Sequence, residues 1–338
     1  MNPARSRYVW LAAVITLLIV VAGGWLWLQF QPVGGGTLRL VRITPGMSAR
    51  QVGQKLHRMG LVRRAWTFEW VVRRRGWGGQ LKPGDYELRP SMSPLQIARI
   101  IAEGRVATSW VTIPEGYTIR QIAELLHQRG VADRDEFLRL ATMQGDTFRA
   151  SFALPKNLEG YLFPNTYRLP RGTGARPAIQ SMVSLLEREV YERLRTEIEQ
   201  SGFTFHQILT IASMIEREAK VPEDRALISA VIRNRLKRGM RLEIDATVLY
   251  ALGRHKSRVL YRDLEVDSDY NTYRRSGLPP GPIANPGVAC VEAALRPANV
   301  DYLYYVARPD GSHIFTRTLQ EHHRAVAGAR AERTRATP

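Results

Sequence analysis

The chain of 338 residues carries 49 Lys and Arg against 31 Asp and Glu, a formal net charge of +18. Hydrophobic residues make up 44% and charged residues 24%. That balance excludes a wholly disordered chain, a collagen-like chain and a polytopic membrane protein, and the length suits two domains. Cys290 is the one cysteine, so there is no intrachain disulfide and stability must come from packing.

The basic excess invites a nucleic-acid reading, because a positive face displaces counterions from phosphate. The start of the chain argues against it. Val9 to Phe30 is a run of 22 residues without a charge, and about 20 apolar residues span a bilayer as a helix. Arg5 and Arg7 precede the run, so the positive-inside rule puts residues 1–8 in the cytoplasm and everything after the span outside it. A cleaved signal peptide is the competing reading, but the run is long for one and no A-x-A site closes it before Gln31. The expectation is a single-pass anchor at 9–30 in membrane lipid, with the rest extracytoplasmic and no nucleic-acid partner. Gln31-Pro-Val-Gly-Gly-Gly36, within 31–37, reads as a flexible linker.

Residues 38–105 hold 14 basic and 4 acidic side chains, a basic face suited to anionic headgroups or to an anionic polymer outside the membrane. Ile43 to Val52 matches Ile113 to Ile122 in a repeat, continued by Leu56-His57 and Leu126-His127 and by Gly60 and Gly130. Ser48 with Gln51 and Thr118 with Gln121 are capping boxes, so each copy opens a helix that stops at its glycine. Ser93 with Gln96 is a third box, with Pro94 in the first turn. Trp66 to Arg75 reads as helix and Gly84 to Leu88 alternates as a strand. The fold class expected is α+β: an anchor, a small α+β module at 38–105, and a larger mixed α/β domain at 106–338.

In that larger domain three helices are expected: Pro177 to Gln200, Phe205 to Lys220, and Glu223 to Gly239. The second places Glu216 and Glu218 in an apolar strip. Around a helical wheel they fall on opposite flanks, each roughly 70° to 90° from the apolar centre, so only one can face a given cleft. The wheel does not choose between them, and a boundary salt bridge is the ordinary fate of either. Aromatic, amide and hydroxyl residues fixed by Pro and Gly recur at Leu158 to Tyr167, Asn234 to Leu236, Tyr270 to Tyr273 and Gly277 to Gly287. That mixture suits a sugar polymer, though buried turns use the same residues.

The stretches EGYLFPNTY at 159–167, ASMIEREA at 212–219, NRL at 234–236, YNTY at 270–273, GLPPGPIANPG at 277–287 and YLYYVARPDGSHIF at 302–315 together resemble the YceG-like family of endolytic murein transglycosylases. The resemblance covers nearly the whole chain. It implies an anchored lyase with a LysM-like module at 38–105. The implied reaction is non-hydrolytic cleavage of the β-1,4 bond from N-acetylmuramic acid to N-acetylglucosamine, leaving 1,6-anhydro ends and limiting glycan length. It implies peptidoglycan glycan strands and peptidoglycan synthases (penicillin-binding proteins) as partners at the inner membrane, and no cofactor. In that family the catalytic acid is the second glutamate of an E-[KR]-E helix, so the resemblance implies Glu218 in this role. Candidate substrate-binding residues are Glu159, Tyr161, Thr166 and Tyr167 in the first stretch and Asn234 in NRL. Asp245 and Thr247 follow it, and Asn271, Tyr273 and Asn285 complete the set. The family reads LQ-x-DPTV where this chain has Leu242-Glu-Ile-Asp-Ala-Thr-Val248, so Glu243 and Ala246 are departures. A catalytically silent glycan-binding scaffold that recruits wall synthases is the rival. His313, His322 and His323 lack an HExxH or Cys partner and read as surface histidines, with no metal site.

Overall fold

The computed structural model describes residues 3–106, 108–253 and 259–336, without the side chains of 3–9, 11, 12, 108, 109 and 333–336. It divides into two compact units, one of Met1–Ser109 with Pro170–Gly172, the other of Trp110–Leu169 with Thr173–Pro338.

In the first unit α1 (Pro3–Gln29) is one continuous helix over the expected anchor. Among the described residues no helix is long and apolar enough to cross a membrane. The segment expected to be a flexible linker makes hydrogen bonds at Pro32, Val33 and Gly34, and the residue before it, Phe30, meets two rings. The Phe30 ring meets Trp66 and Trp70 edge-on at 5.5 and 5.1 Å. Val33 and Gly34 donate N–H bonds to the Pro90 carbonyl, and Arg63 donates to the carbonyls of Pro32 and Val33. These partners are distant in sequence, which is why a glycine run alone reads as loose.

β1 (Arg39–Ile43), α2 (Ala49–Arg58), α3 (Ala65–Arg74), β2 (Gly84–Leu88) and α4 (Pro94–Glu103) follow. β1 and β2 pair antiparallel, Arg39 opposite Leu88 and Ile43 opposite Gly84. Both expected capping boxes, at Ser48 and Ser93, form, and α2 closes through Gly60 at φ +63°. Val41, Leu56, Phe68, Tyr86 and Ile97 are fully buried in the unit's own core.

β3 (Thr108–Thr112) carries the chain into the second unit, where α5 (Ile119–Gln128), α6 (Arg134–Met143) and β4 (Thr166–Pro170) follow. β4 pairs with β3, so the sequence repeat is a structural one: strand, two helices, strand, with the Thr118 capping box starting α5. The expected helix at 177–200 differs. It divides into α7 (Ala175–Leu186), a π segment over Glu187–Glu192, and α8 (Arg195–Gln200). Leu186, Val190, Leu194 and Ile198 are all buried and four apart. Steps of four drift about 40° each on a straight α-helix; the wider π turn brings the row back toward the core.

α9 (Phe205–Glu218) is buried from Ile208 through Ile215 and packs on α10 (Asp224–Lys237), α11 (Asp245–Leu252) and α12 (Val288–Leu295). It stops two residues short of the expected end, with Ala219 extended at ψ 121°. Pro222 follows, and in a continuing helix its ring would clash with the Glu218 carbonyl four residues back. β5 (Tyr304–Ala307) and β6 (His313–Thr316) form an antiparallel hairpin, and α13 (Leu319–Ala336) is the last element among the described residues.

The segment 277–287 is laid along α9 by three pegs. His206 Nε2 bonds the Pro280 carbonyl at 2.8 Å, Ser213 Oγ accepts from Ile283 N–H at 3.0 Å, and Glu216 Oε2 accepts from Gly287 N–H at 3.0 Å. On a helical wheel the three positions lie within about 80° of one another. Against this segment lies Gly160, at φ +86°, where a Cβ would come within 2.4 Å of the Pro282 ring. Gly160→Ala therefore meets both backbone strain and overlap; we expect it to destabilise the protein by about 1–3 kcal/mol, read as a lower midpoint in thermal unfolding of the full chain. An unchanged midpoint would show that the segment yields freely.

Candidate active site

Glu218 is the last residue of α9, so its carboxyl sits where unpaired helix carbonyls present negative charge. Its pKa is raised to about 7, first by burial and then by the charge of Asp245. The Ala246 N–H, the Tyr305 hydroxyl and the Arg217 charge pull in the opposite direction and are outweighed. Burial and the Glu218 charge in turn hold the Tyr305 hydroxyl far above the ordinary phenol range. A carboxyl in this setting is poised to give up a proton near neutral pH and to take one back.

Asp245 opens α11 and stays exposed. Its Oδ1 accepts from the Tyr273 hydroxyl at 2.6 Å, and burial together with that bond raises the Tyr273 pKa well above the usual value. The loop that delivers Asp245 and Ala246 is shaped by Arg235. Its guanidinium donates to the carbonyls of Leu303, Arg241 and Leu242 and to Glu243 Oε2 at 3.0 Å. Glu243 has a φ of +53°, the sole positive value outside glycine among the described residues. The departure at Glu243 thus supplies an ion pair to the arginine that already holds the loop.

Thr272 adds to that hold from the YNTY turn. Its Oγ1 accepts from Ile244 N–H at 2.9 Å and meets Thr247 Oγ1 at 2.9 Å, and its carbonyl accepts from Glu243 N–H. Thr247 is fully buried. Asn271, also fully buried, gives both amide hydrogens to the carbonyls of Leu264 and Val266 and accepts from Tyr273 N–H. Asn234 gives both of its own to Val300 and Tyr302, which sets β5 beside α10.

A second buried carboxyl, Glu159, lies in a separate cluster with Asn285. Glu159 Oε1 accepts from Ile119 N–H at 2.9 Å and from Asn285 Nδ2 at 3.1 Å, and Oε2 from the Tyr250 hydroxyl at 3.4 Å. Burial outweighs these donors and pushes its pKa up to about 8. Asn285 also bonds the Tyr117 carbonyl and accepts from Leu162 N–H. A cleft of about 500 Å³ lined by Glu159, Tyr250, Gln121, Arg217 and Ala246 joins this cluster to the residues beside Glu218 and Asp245.

Of the residues predicted from sequence, Glu218, Asp245 and Tyr273 come together, as do Glu159 and Asn285. Tyr161 is buried with its hydroxyl on His206 Nδ1, Tyr167 is buried with its hydroxyl donated to the Phe163 carbonyl, and Thr166 stands exposed against Thr112. Glu216, left open by the wheel, binds Gly287 N–H and the Cys290 thiol. Sequence reasoning passed over Tyr305 and Arg235. Both lie inside quoted stretches, but their roles depend on β5 meeting α10 across the fold. His313 is corrected: it is not a surface residue, its side chain being 4% exposed with Nδ1 2.8 Å from the buried Asp224 carboxylate.

The departure at Ala246 matters chemically. The family's proline has no N–H, whereas Ala246 offers one to Glu218. Proline is tolerated in the first helical turn, so Ala246→Pro should leave α11 in place and raise the Glu218 pKa. The alkaline limb of the pH–rate profile would then move upward; an unmoved limb would show that this N–H does not act on the carboxyl.

Residues 41–328 match the YceG-like family. The chain is 36% identical over 302 residues to a Bacillus subtilis (strain 168) protein named endolytic murein transglycosylase, covering 84% of this chain and 83% of that one. It is 30% identical over 354 residues to a protein of the same name from Streptococcus pneumoniae serotype 2 (strain D39 / NCTC 7466), covering 93% of this chain and 64% of that one. The crystal structure of a yceG-like protein from Listeria monocytogenes aligns with a TM-score of 0.57 at 37% identity, covering 85% of this chain and 99% of that one. The chain belongs to the YceG-like family.

Proposed function

We propose that the protein is an endolytic murein transglycosylase that cuts peptidoglycan glycan strands without water. The named relatives support the activity. The observation that carries the chemistry is the Glu218 carboxyl, raised to about 7 at the end of α9. Hydrolysis of a glycoside calls on two carboxyl groups, one as acid and one as base or nucleophile. Here the neighbouring Asp245 is bonded to the Tyr273 hydroxyl, and burial first, with the Asp245 charge second, keeps the proton on Glu218.

In the proposed reaction Glu218 gives its proton to the O4 of N-acetylglucosamine as the bond from C1 of N-acetylmuramic acid breaks. The substrate acetamide steadies the oxocarbenium-like centre. The Glu218 carboxylate, stabilised by the Tyr305 hydroxyl and the Ala246 N–H, then takes the proton from the C6 hydroxyl as O6 closes on C1. The proton count balances, and the products are a 1,6-anhydro end and a free 4-hydroxyl. Tyr273 and Asp245 flank the sugar, and the cleft beside Glu159 receives part of the strand. Asn234, Thr247, Asn271 and Asn285, with Tyr161 and Tyr167, hold the loops in place, and exposed Thr166 is left for the strand.

The remaining assignments belong to the same proposal. Residues 9–30 form the single membrane span with residues 1–8 cytoplasmic, and 31–37 join it to a LysM-like module at 38–105. The strand-helix-helix-strand order of β1, α2, α3 and β2 supports that likeness. Residues 106–338 form the catalytic domain, outside the membrane, limiting the strands made by neighbouring peptidoglycan synthases.

The test is digestion of purified glycan strands by the full chain in detergent, with mass analysis of the new ends. Anhydro ends are expected, with the rate falling as pH rises through about 7, because the proton-bearing form of Glu218 is then lost. Glu218→Gln should lower the rate by at least about 100-fold. Reducing ends would make the protein a hydrolase, and no cleavage would favour a glycan-binding scaffold.

A further inference from the structure

We infer that the α3 face of the first unit is a docking surface for an anionic lipid bilayer, so that the module lies on the membrane rather than hanging from it. The inference rests on the proposed anchor at 9–30. It starts from the Phe30 ring, the last residue of the uncharged run, held edge-on by Trp66 and Trp70 at 5.5 and 5.1 Å. α3 is therefore fixed at the point where the anchor ends. Hydrogen bonds from Arg63 to the carbonyls of Pro32 and Val33, and from Val33 and Gly34 to Pro90, also link the two.

The chemistry of this face is that of a headgroup interface. Trp66 is 39% and Trp70 52% exposed, which suits the interfacial zone, where tryptophan rings collect. Between residues 63 and 75 lie five arginines (63, 64, 73, 74 and 75) and one acid, Glu69. Glu69 is occupied by Arg73 at 2.8 Å. Arg74 and Arg75 line a groove with Trp70, Phe30, Gln31 and Ser93, wide enough at about 770 Å³ for phosphate headgroups. Guanidinium forks pair with phosphate oxygens in two-point bonds, while the indoles enter the apolar edge of the bilayer. An anionic wall polymer would meet the same charge and the same rings, but these rings hold Phe30 at the end of the proposed anchor, where the headgroup zone lies, so the lipid is the occupant favoured here.

The test uses the full chain with Trp10, Trp25 and Trp27 changed to Phe, which removes the anchor's own fluorescence. It is reconstituted in vesicles of brominated phosphatidylcholine with and without phosphatidylglycerol. Strong bromine quenching in the anionic vesicles is expected, largely lost in a further Trp66→Phe/Trp70→Phe variant. Arg74→Gln/Arg75→Gln should weaken quenching in anionic vesicles and change it little in neutral ones, each arginine being worth about a fivefold change in surface affinity. Protein that resists carbonate extraction yet shows no quenching overturns the docking surface while leaving the anchor standing. Protein extracted by carbonate overturns both. Unquenched fluorescence that responds instead to soluble glycan strands would reassign the face to the wall polymer.

Discussion

A carboxyl group at the end of a buried helix is hard to ionise, and the second unit is arranged around that difficulty. α9 is fully buried over eight consecutive residues before it reaches Glu218, so the carboxyl leaves the core with little water and with helix carbonyls behind it. Only what the surrounding loops bring to it can moderate that. Arg235 and Thr272 fold the 241–247 turn so that Asp245 and Ala246 arrive together, one opposing ionisation and the other assisting it. The stem of β5 brings Tyr305, and Asn234 keeps β5 against α10. Each of these residues acts on one proton.

The same end of α9 explains the division of labour between two glutamates. Glu216 faces the 277–287 segment and is consumed by Gly287 and Cys290, whereas Glu218 faces the turn before α11. A periodic reading of ASMIEREA shows that the two point different ways, because 100° per residue is a local rule. It does not show what each way contains, because the 241–247 turn and the 277–287 segment arrive from far along the chain. The resemblance to known relatives supplied the choice of Glu218 that the wheel alone withheld.

What was legible in the sequence follows the same division. Capping boxes at Ser48, Ser93, Thr118 and the closing glycines are local chemistry and form as read. The break after Leu186 was hidden because its cause is a row of apolar residues four apart that must all reach one distant core. Buried amides such as Asn271 and Asn285 looked like sugar ligands because their composition is the same in a cleft and in a core turn; only burial and saturated hydrogen bonding tell them apart. His313 was misread for a similar reason, its partner Asp224 lying on another element. The contact of Phe30 with Trp66 and Trp70 is equally nonlocal.

The central claim is that the Glu218 carboxyl holds its proton near neutrality. It is tested most directly by carbon NMR titration of the protein labelled at the glutamate δ-carbon, with Glu218→Gln identifying the signal and Glu159→Gln separating the other raised carboxyl. A Glu218 midpoint near 7 is expected, with Glu159 also raised, to about 8. A Glu218 signal titrating at the ordinary glutamate value of 4.5 would contradict it.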